Sequence, residues 1–175
     1  MRAMSTPALS PSAALNCDET EFEPLVTGPG FVQTCGGFLL HRHLPVLGVR
    51  VLPAHLNAIG IAHGGFLATF ADTAFGAVLR RDCGYTASPT VNLSTNYLAP
   101  VYAGEWAQAH VEIVKAGRSL AHATCTVTAG GRAVLQASGV FYLRSRPRAP
   151  SPLACATRHA EPAQATRSNE TLGRA

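Results

Sequence analysis

The sequence predicts an α+β domain in which an antiparallel sheet of about five to six strands wraps around one long central helix. Three observations lead there. Between Gly65 and Leu79, apolar side chains recur at helical spacing and leave little polar surface, as in a helix buried on most sides. Beyond the helix, four segments between Thr90 and Leu143 have the composition and period of strands. The turns between those segments are short and marked by glycine or proline, which implies an antiparallel meander.

Taken in order, residues 1–24 carry Pro, Ser, Ala and acid without periodicity and read as a flexible extension. Phe31–His41 and Val46–Pro53 read as strands separated by Pro45, and Ala54–Ala62 as an irregular polar piece. The helix follows. Arg80 and Arg81 sit where they complement the negative end of its dipole, and Gly84 reads as its stop. The later strands are Thr90–Leu98, Glu105–Lys115, Leu120–Thr128 and Ala133–Leu143, with turns at Ala99-Pro100, Ala116-Gly117 and Gly130-Gly131. From residue 147 onward large apolar side chains are nearly absent, so 147–175 reads as a second flexible tail and 25–146 as the domain. A single sheet covers one side of such a helix. A partner subunit pairing edge strands would cover what is left, which predicts a homodimer.

The net charge of +4 is confined to the tail, because Arg144 to the end holds six Arg and two Glu. The rest is neutral and has no basic stripe interleaved with aromatics, which argues against a nucleic-acid role. No apolar stretch is long enough to span a bilayer, and the first ten residues do not resemble a secretory leader. The five cysteines, Cys17, Cys35, Cys83, Cys125 and Cys155, are odd in number and have no CxxC spacing. They argue against a disulfide framework or a metal site and for a cytoplasmic location.

The chemistry-bearing pattern is Asn57-x5-His63-Gly64-Gly65-x6-Asp72. Asp72 is the only acidic residue between Glu23 and Asp82, and it lies inside the apolar helix. Burial of a lone carboxylate tends to raise its pKa and suits it to act as a base. Gly64 and Gly65 fall at the helix start, where backbone N–H groups and the dipole favour a developing oxyanion. His63 could donate to the same oxygen or cap the helix, and Asn57 could hold water or bond the same site. Each residue alone also has an ordinary structural reading: a bonded Asp, a flexible turn, a cap.

Together with Thr90-Val-Asn-Leu-Ser-Thr-Asn-Tyr-Leu-Ala-Pro100 and the turn Lys115-Ala-Gly117-Arg118-Ser119, this pattern resembles the hot-dog-fold acyl-CoA thioesterase superfamily over residues 45–143. Within it, the chain is most similar to the phenylacetic-acid-degradation-type branch, related to the 4-hydroxybenzoyl-CoA thioesterases. The resemblance implies hydrolysis of an acyl-CoA thioester with no metal and no cofactor beyond the CoA of the substrate. It implies Asp72 as base or nucleophile and Gly64 as oxyanion donor, with Gly65, His63 and Asn57 as helpers. Thr90 would be contributed by the other subunit of a dimer or tetramer with interfacial active sites. Lys115, Gly117, Arg118 and Ser119 would meet the CoA phosphates and pantetheine arm. The alternatives are a non-catalytic acyl-CoA-binding protein, and a hot-dog hydratase or dehydratase.

Overall fold

A computed structural model describes residues 16–144. Most of the expected N-terminal extension, the expected C-terminal tail and Cys155 lie outside them. The sheet has seven strands, more than the five to six expected. They are β1 (Phe22–Pro24), β2 (Leu39–His41), β3 (Val46–Arg50), β4 (Thr90–Tyr97), β5 (Trp106–Ala116), β6 (Leu120–Ala129) and β7 (Arg132–Tyr142). All pairings are antiparallel, in the order β1-β2-β3-β5-β6-β7-β4. A four-residue helix α1 (Phe31–Thr34) and the central helix α2 (Gly64–Cys83) complete the fold.

Three expectations are corrected. Phe22 is buried and pairs with His41, so the sheet begins inside the stretch expected to be an extension. The expected strand over Phe31–His41 is instead a helical turn followed by the short β2. Short polar side chains bond back onto the turn, Thr34 Oγ1 donating to the Phe31 carbonyl at 2.7 Å, and Gly36 at φ 97° redirects the chain. The meander holds only for β5–β7, closed at one end by Gly130-Gly131 with both φ values positive, as a tight primed hairpin requires. β4 does not pair with β5. It pairs with β7 at the far edge, and the chain then crosses past the start of α2, where Ala62 N–H donates to Val101 carbonyl at 2.7 Å.

α2 buries Phe66, Leu67, Phe70, Ala71, Ala74, Phe75, Val78 and Leu79 against the concave face of the sheet. Each large side chain there contributes about 1.5–3 kcal/mol by leaving water. The helix is not buried all round, however. Gly65, Thr69, Asp72, Thr73, Gly76 and Arg80, three or four residues apart, form a stripe that the sheet leaves uncovered. The helix ends at Gly84, as expected, and Arg81 ties its last turn to the sheet by donating to the carbonyls of His41 and Leu44.

Burial sets the titration of two histidines. His55 stacks on Phe66 with ring centroids 3.9 Å apart, and His110 lies within β5. Burial holds both below the ordinary value of 6.5. The unfolded chain therefore takes up these protons first as pH falls, so their contribution is intact above about pH 6.5 and is lost below it. The thermal midpoint is expected to drop between pH 7.5 and 5.5, and to drop less in His110→Gln. An unchanged slope in that variant would contradict this.

Candidate active site

Asp72 lies in the middle of α2 and is half-buried rather than enclosed. The hydroxyl of Thr90, the first residue of β4, donates to its Oδ1 at 2.7 Å. Both groups belong to one chain, which corrects the expectation that Thr90 reaches the acid from another subunit. Oδ2 has no partner among the described residues. It is free to accept from water or to approach an electrophile.

A groove of about 310 Å³ opens beside this pair. Its floor is the uncovered stripe of α2, from Asp72 through Gly76 to Arg80, and its roof is the loop of residues 25–32. Ser88 and Thr90 close one side. Sequence reasoning missed this groove. Gly28-Pro29-Gly30 is the available signal of a loop, but the residues after it have the composition of a strand.

The helix mouth is built separately. His63 is the N-cap, and its Nδ1 accepts from Gly65 N–H at 2.9 Å. Of the two glycines singled out, Gly65 is therefore already engaged, and Gly64 alone presents an N–H with no acceptor among the described residues. Because Nδ1 accepts at the cap, the ring N–H is on Nε2, across the ring from that bond. Tyr97, at the end of β4, donates to the Gly64 carbonyl at 2.9 Å, and a Cβ on Gly64 would come within 3.3 Å of its ring. Tyr97 is a site residue to which the sequence reading gave no role.

Asn57 builds the loop before the helix. Its Oδ1 accepts from Ile59 N–H at 3.1 Å and Ile61 N–H at 3.3 Å, so the oxygen is committed to the turn. It makes no bond to Asp72 or His63.

Gly64 and Asp72 are eight residues apart on one helix, which separates them by about 12 Å along its axis. One chain's Gly64 and its own Asp72 cannot both touch a single carbonyl group.

The basic turn is also distant. Lys115 lies on β5 and is exposed, as are Gly117, Arg118 and Ser119. Gly117 N–H donates to Leu120 carbonyl and Leu143 N–H to Ser119 carbonyl, both at 2.8 Å, and these bonds fix the turn. Register places Ala116, Ala121, Phe141 and Thr90 in one row across the sheet. The turn therefore lies at the Thr90 end, three strands and about 14 Å away. No described residue engages Lys115 or Arg118. Among the described residues no cluster of metal-ligating side chains occurs and no helix is long and apolar enough to cross a membrane.

A family model described as the thioesterase superfamily matches residues 59–136. A candidate esterase of Pseudomonas aeruginosa is 30% identical over 130 residues, 70% of this chain and 94% of that protein. Among solved structures, an Asn-to-Asp mutant of the phenylacetic acid degradation protein PaaI from Thermus thermophilus is 28% identical. It aligns with a TM-score of 0.54 over 60% of this chain and 90% of that one. A hypothetical thioesterase from Streptococcus pneumoniae, solved with coenzyme A, is 26% identical with a TM-score of 0.54, over 59% and 80%.

Proposed function

The chain belongs to the thioesterase superfamily and has its hot-dog fold, and from that premise we propose that it hydrolyses an acyl-CoA thioester to free acid and CoA, with Asp72 as the reacting carboxylate. The observation that carries this is the Thr90–Asp72 bond in the lining of a groove. Thr90 occupies one carboxylate oxygen and orients the other toward the space where a substrate would lie.

The 12 Å gap, about eight residues of helical rise, supports a composite site. Asp72 and Thr90 of one subunit work with Gly64 of the partner subunit, whose N–H lies at the positive end of its helix. The thioester oxygen accepts from Gly64 N–H, and His63 Nε2–H points outward at the same mouth. Asp72 takes a proton from water, whose oxygen adds to the carbonyl carbon. Direct addition of Asp72 is the variant of this step that passes through an anhydride. The tetrahedral oxyanion then collapses, the C–S bond breaks, and the thiolate leaves as CoA and is protonated. No step requires a metal.

The edge strand β4 supports the dimer. Among the described residues it pairs only with β7, and Val91, Tyr97 and Leu98 on and beside it are each more than half exposed. Pairing β4 with its copy would satisfy the open ladder and bring the two mouths toward the two Asp72 side chains. Lys115 and Arg118, with the N–H group of Ser119, offer charge and donors to the CoA phosphates, while Gly117 keeps the turn tight through its own bond to Leu120. The coenzyme A held by the Streptococcus pneumoniae relative supports that choice of substrate.

The test is thiol release from acetyl-, hexanoyl-, palmitoyl-, phenylacetyl- and 4-hydroxybenzoyl-CoA. Turnover of at least one ester is expected. Tight binding of the esters with no thiol released would favour a non-catalytic acyl-CoA binder instead.

A further inference from the structure

Among the described residues that line the groove, Arg80 is the one charged group besides Asp72. The two residues share a face of α2, eight positions and about 12 Å apart. Gly76 lies midway, and a Cβ there would meet nothing within 4 Å, so the floor between them is flat and unobstructed. Leu25, Val32 and Ala77 supply an apolar lining to the same space.

The two arginines at the helix end differ in their commitments. Arg81 donates to two backbone carbonyls and to Asp82. Arg80 is exposed, and no described residue bonds or pairs with it. The dipole accounts for a cation in this turn, and Arg81 already provides one. It does not account for a second guanidinium directed into a groove.

Deepening the reading of Asp72 as the reacting carboxylate, and resting on it, we propose that Arg80 selects an acyl group that ends in a carboxylate: the substrate is the CoA monothioester of a dicarboxylic acid. The thioester carbon sits over Asp72, the methylenes cross Gly76 against the apolar lining, and the distal carboxylate receives the guanidinium fork. That fork matches a carboxylate with two parallel N–H donors. Hydrolysis then releases a diacid. Its second carboxylate is formed beside Asp72, and like charges at that spacing speed release.

The experiment compares kcat/KM for glutaryl-, adipoyl- and suberoyl-CoA with pentanoyl-, hexanoyl- and octanoyl-CoA, using the full chain, Arg80→Gln and Arg80→Lys. At the best-fitting length the diacid monothioester is expected to be preferred by roughly tenfold or more, the size of one charge-assisted pair. That ratio should fall toward one in Arg80→Gln and recover in part in Arg80→Lys. A ratio at or below one at every length in the unaltered chain overturns the proposal and leaves the thioesterase reading intact. So does a loss in Arg80→Gln that is equal for both series, since the guanidinium would then be serving the CoA portion. Absence of thiol release from all six esters overturns the thioesterase reading, and the substrate class with it.

Discussion

Asp72→Asn is expected to lower kcat by about 10²-fold or more, while the far-UV spectrum and thermal midpoint stay near those of the unaltered chain. The amide keeps the shape of the side chain and can still accept from Thr90 at the oxygen position, so the 2.7 Å contact and the packing around it survive. What is lost is the negative charge that, in the proposed mechanism, takes up a proton or adds to carbon, and a positioned general base contributes about 10²–10⁴-fold. Because Asp72 is half-buried on a stripe facing a groove rather than the core, the substitution leaves no cavity. Thiol release by stopped-flow or a thiol-reactive dye checks the rate, and circular dichroism checks the fold. Full activity in this variant would end the mechanism. Thr90→Val should cost less, because it removes the orienting donor but leaves the charge.

Gly64→Pro is expected to have a loss of similar size for a different reason. Gly64 is the first residue of α2, where proline is tolerated because its φ suits the helix and its missing N–H has no partner within the helix. The variant therefore deletes one donor and keeps the element. Removing a single oxyanion donor lowers kcat by about 10²–10³-fold. A Cβ at this position lies 3.3 Å from the Tyr97 ring, closer than ordinary van der Waals contact, so that half-exposed side chain must shift by a few tenths of an ångström. The informative measurement comes from combining the two variants. If Gly64 of one subunit serves Asp72 of the other, a dimer with one Asp72→Asn chain and one Gly64→Pro chain keeps one intact site of its two. Mixing two nearly inactive proteins and allowing exchange should then restore thiol release to about a quarter of the unaltered level or somewhat less, since only the mixed dimers contribute. No recovery in a mixture shown by mass to contain heterodimers would place both groups in one chain and contradict the composite site.

The central helix was legible because apolar side chains recur at helical period across the fifteen residues Gly65–Leu79, with a glycine stop at Gly84. The β5–β7 hairpins were legible through their turns, since Gly130-Gly131 specifies a primed hairpin. The place of β4 was not. Ala99-Pro100 punctuates a crossover as readily as a turn, and only the ladder to β7 distinguishes them. α1 was hidden for a related reason: Phe, Val and Thr suit a strand, but one glycine at φ 97° and a back-bonding threonine outweigh them locally. Within the candidate site, the motif singled out Asp72 and the helix mouth. The spacing of Gly64 and Asp72 already contained their separation, yet the bond from Thr90 within the same chain depends on the long-range placement of β4. The groove depends on a loop of small residues whose path no periodicity records.

The far-edge position of β4 also orders events in time. During synthesis, β4 leaves the ribosome well ahead of β7, its pairing partner among the described residues. Until Arg132–Tyr142 has emerged and joined the sheet, Thr90 has no ladder to hold it beside Asp72. The chain must close a long loop to complete a small contact, and such non-local pairings form late because loop entropy is lost before any bond repays it. The helix and the β5–β7 hairpins can form from what lies near them, whereas the carboxylate acquires its partner last. A nascent chain stalled before residue 132 would thus lack the strand that holds Thr90 beside Asp72, and the proposed site would be assembled only when the last strand joins the sheet.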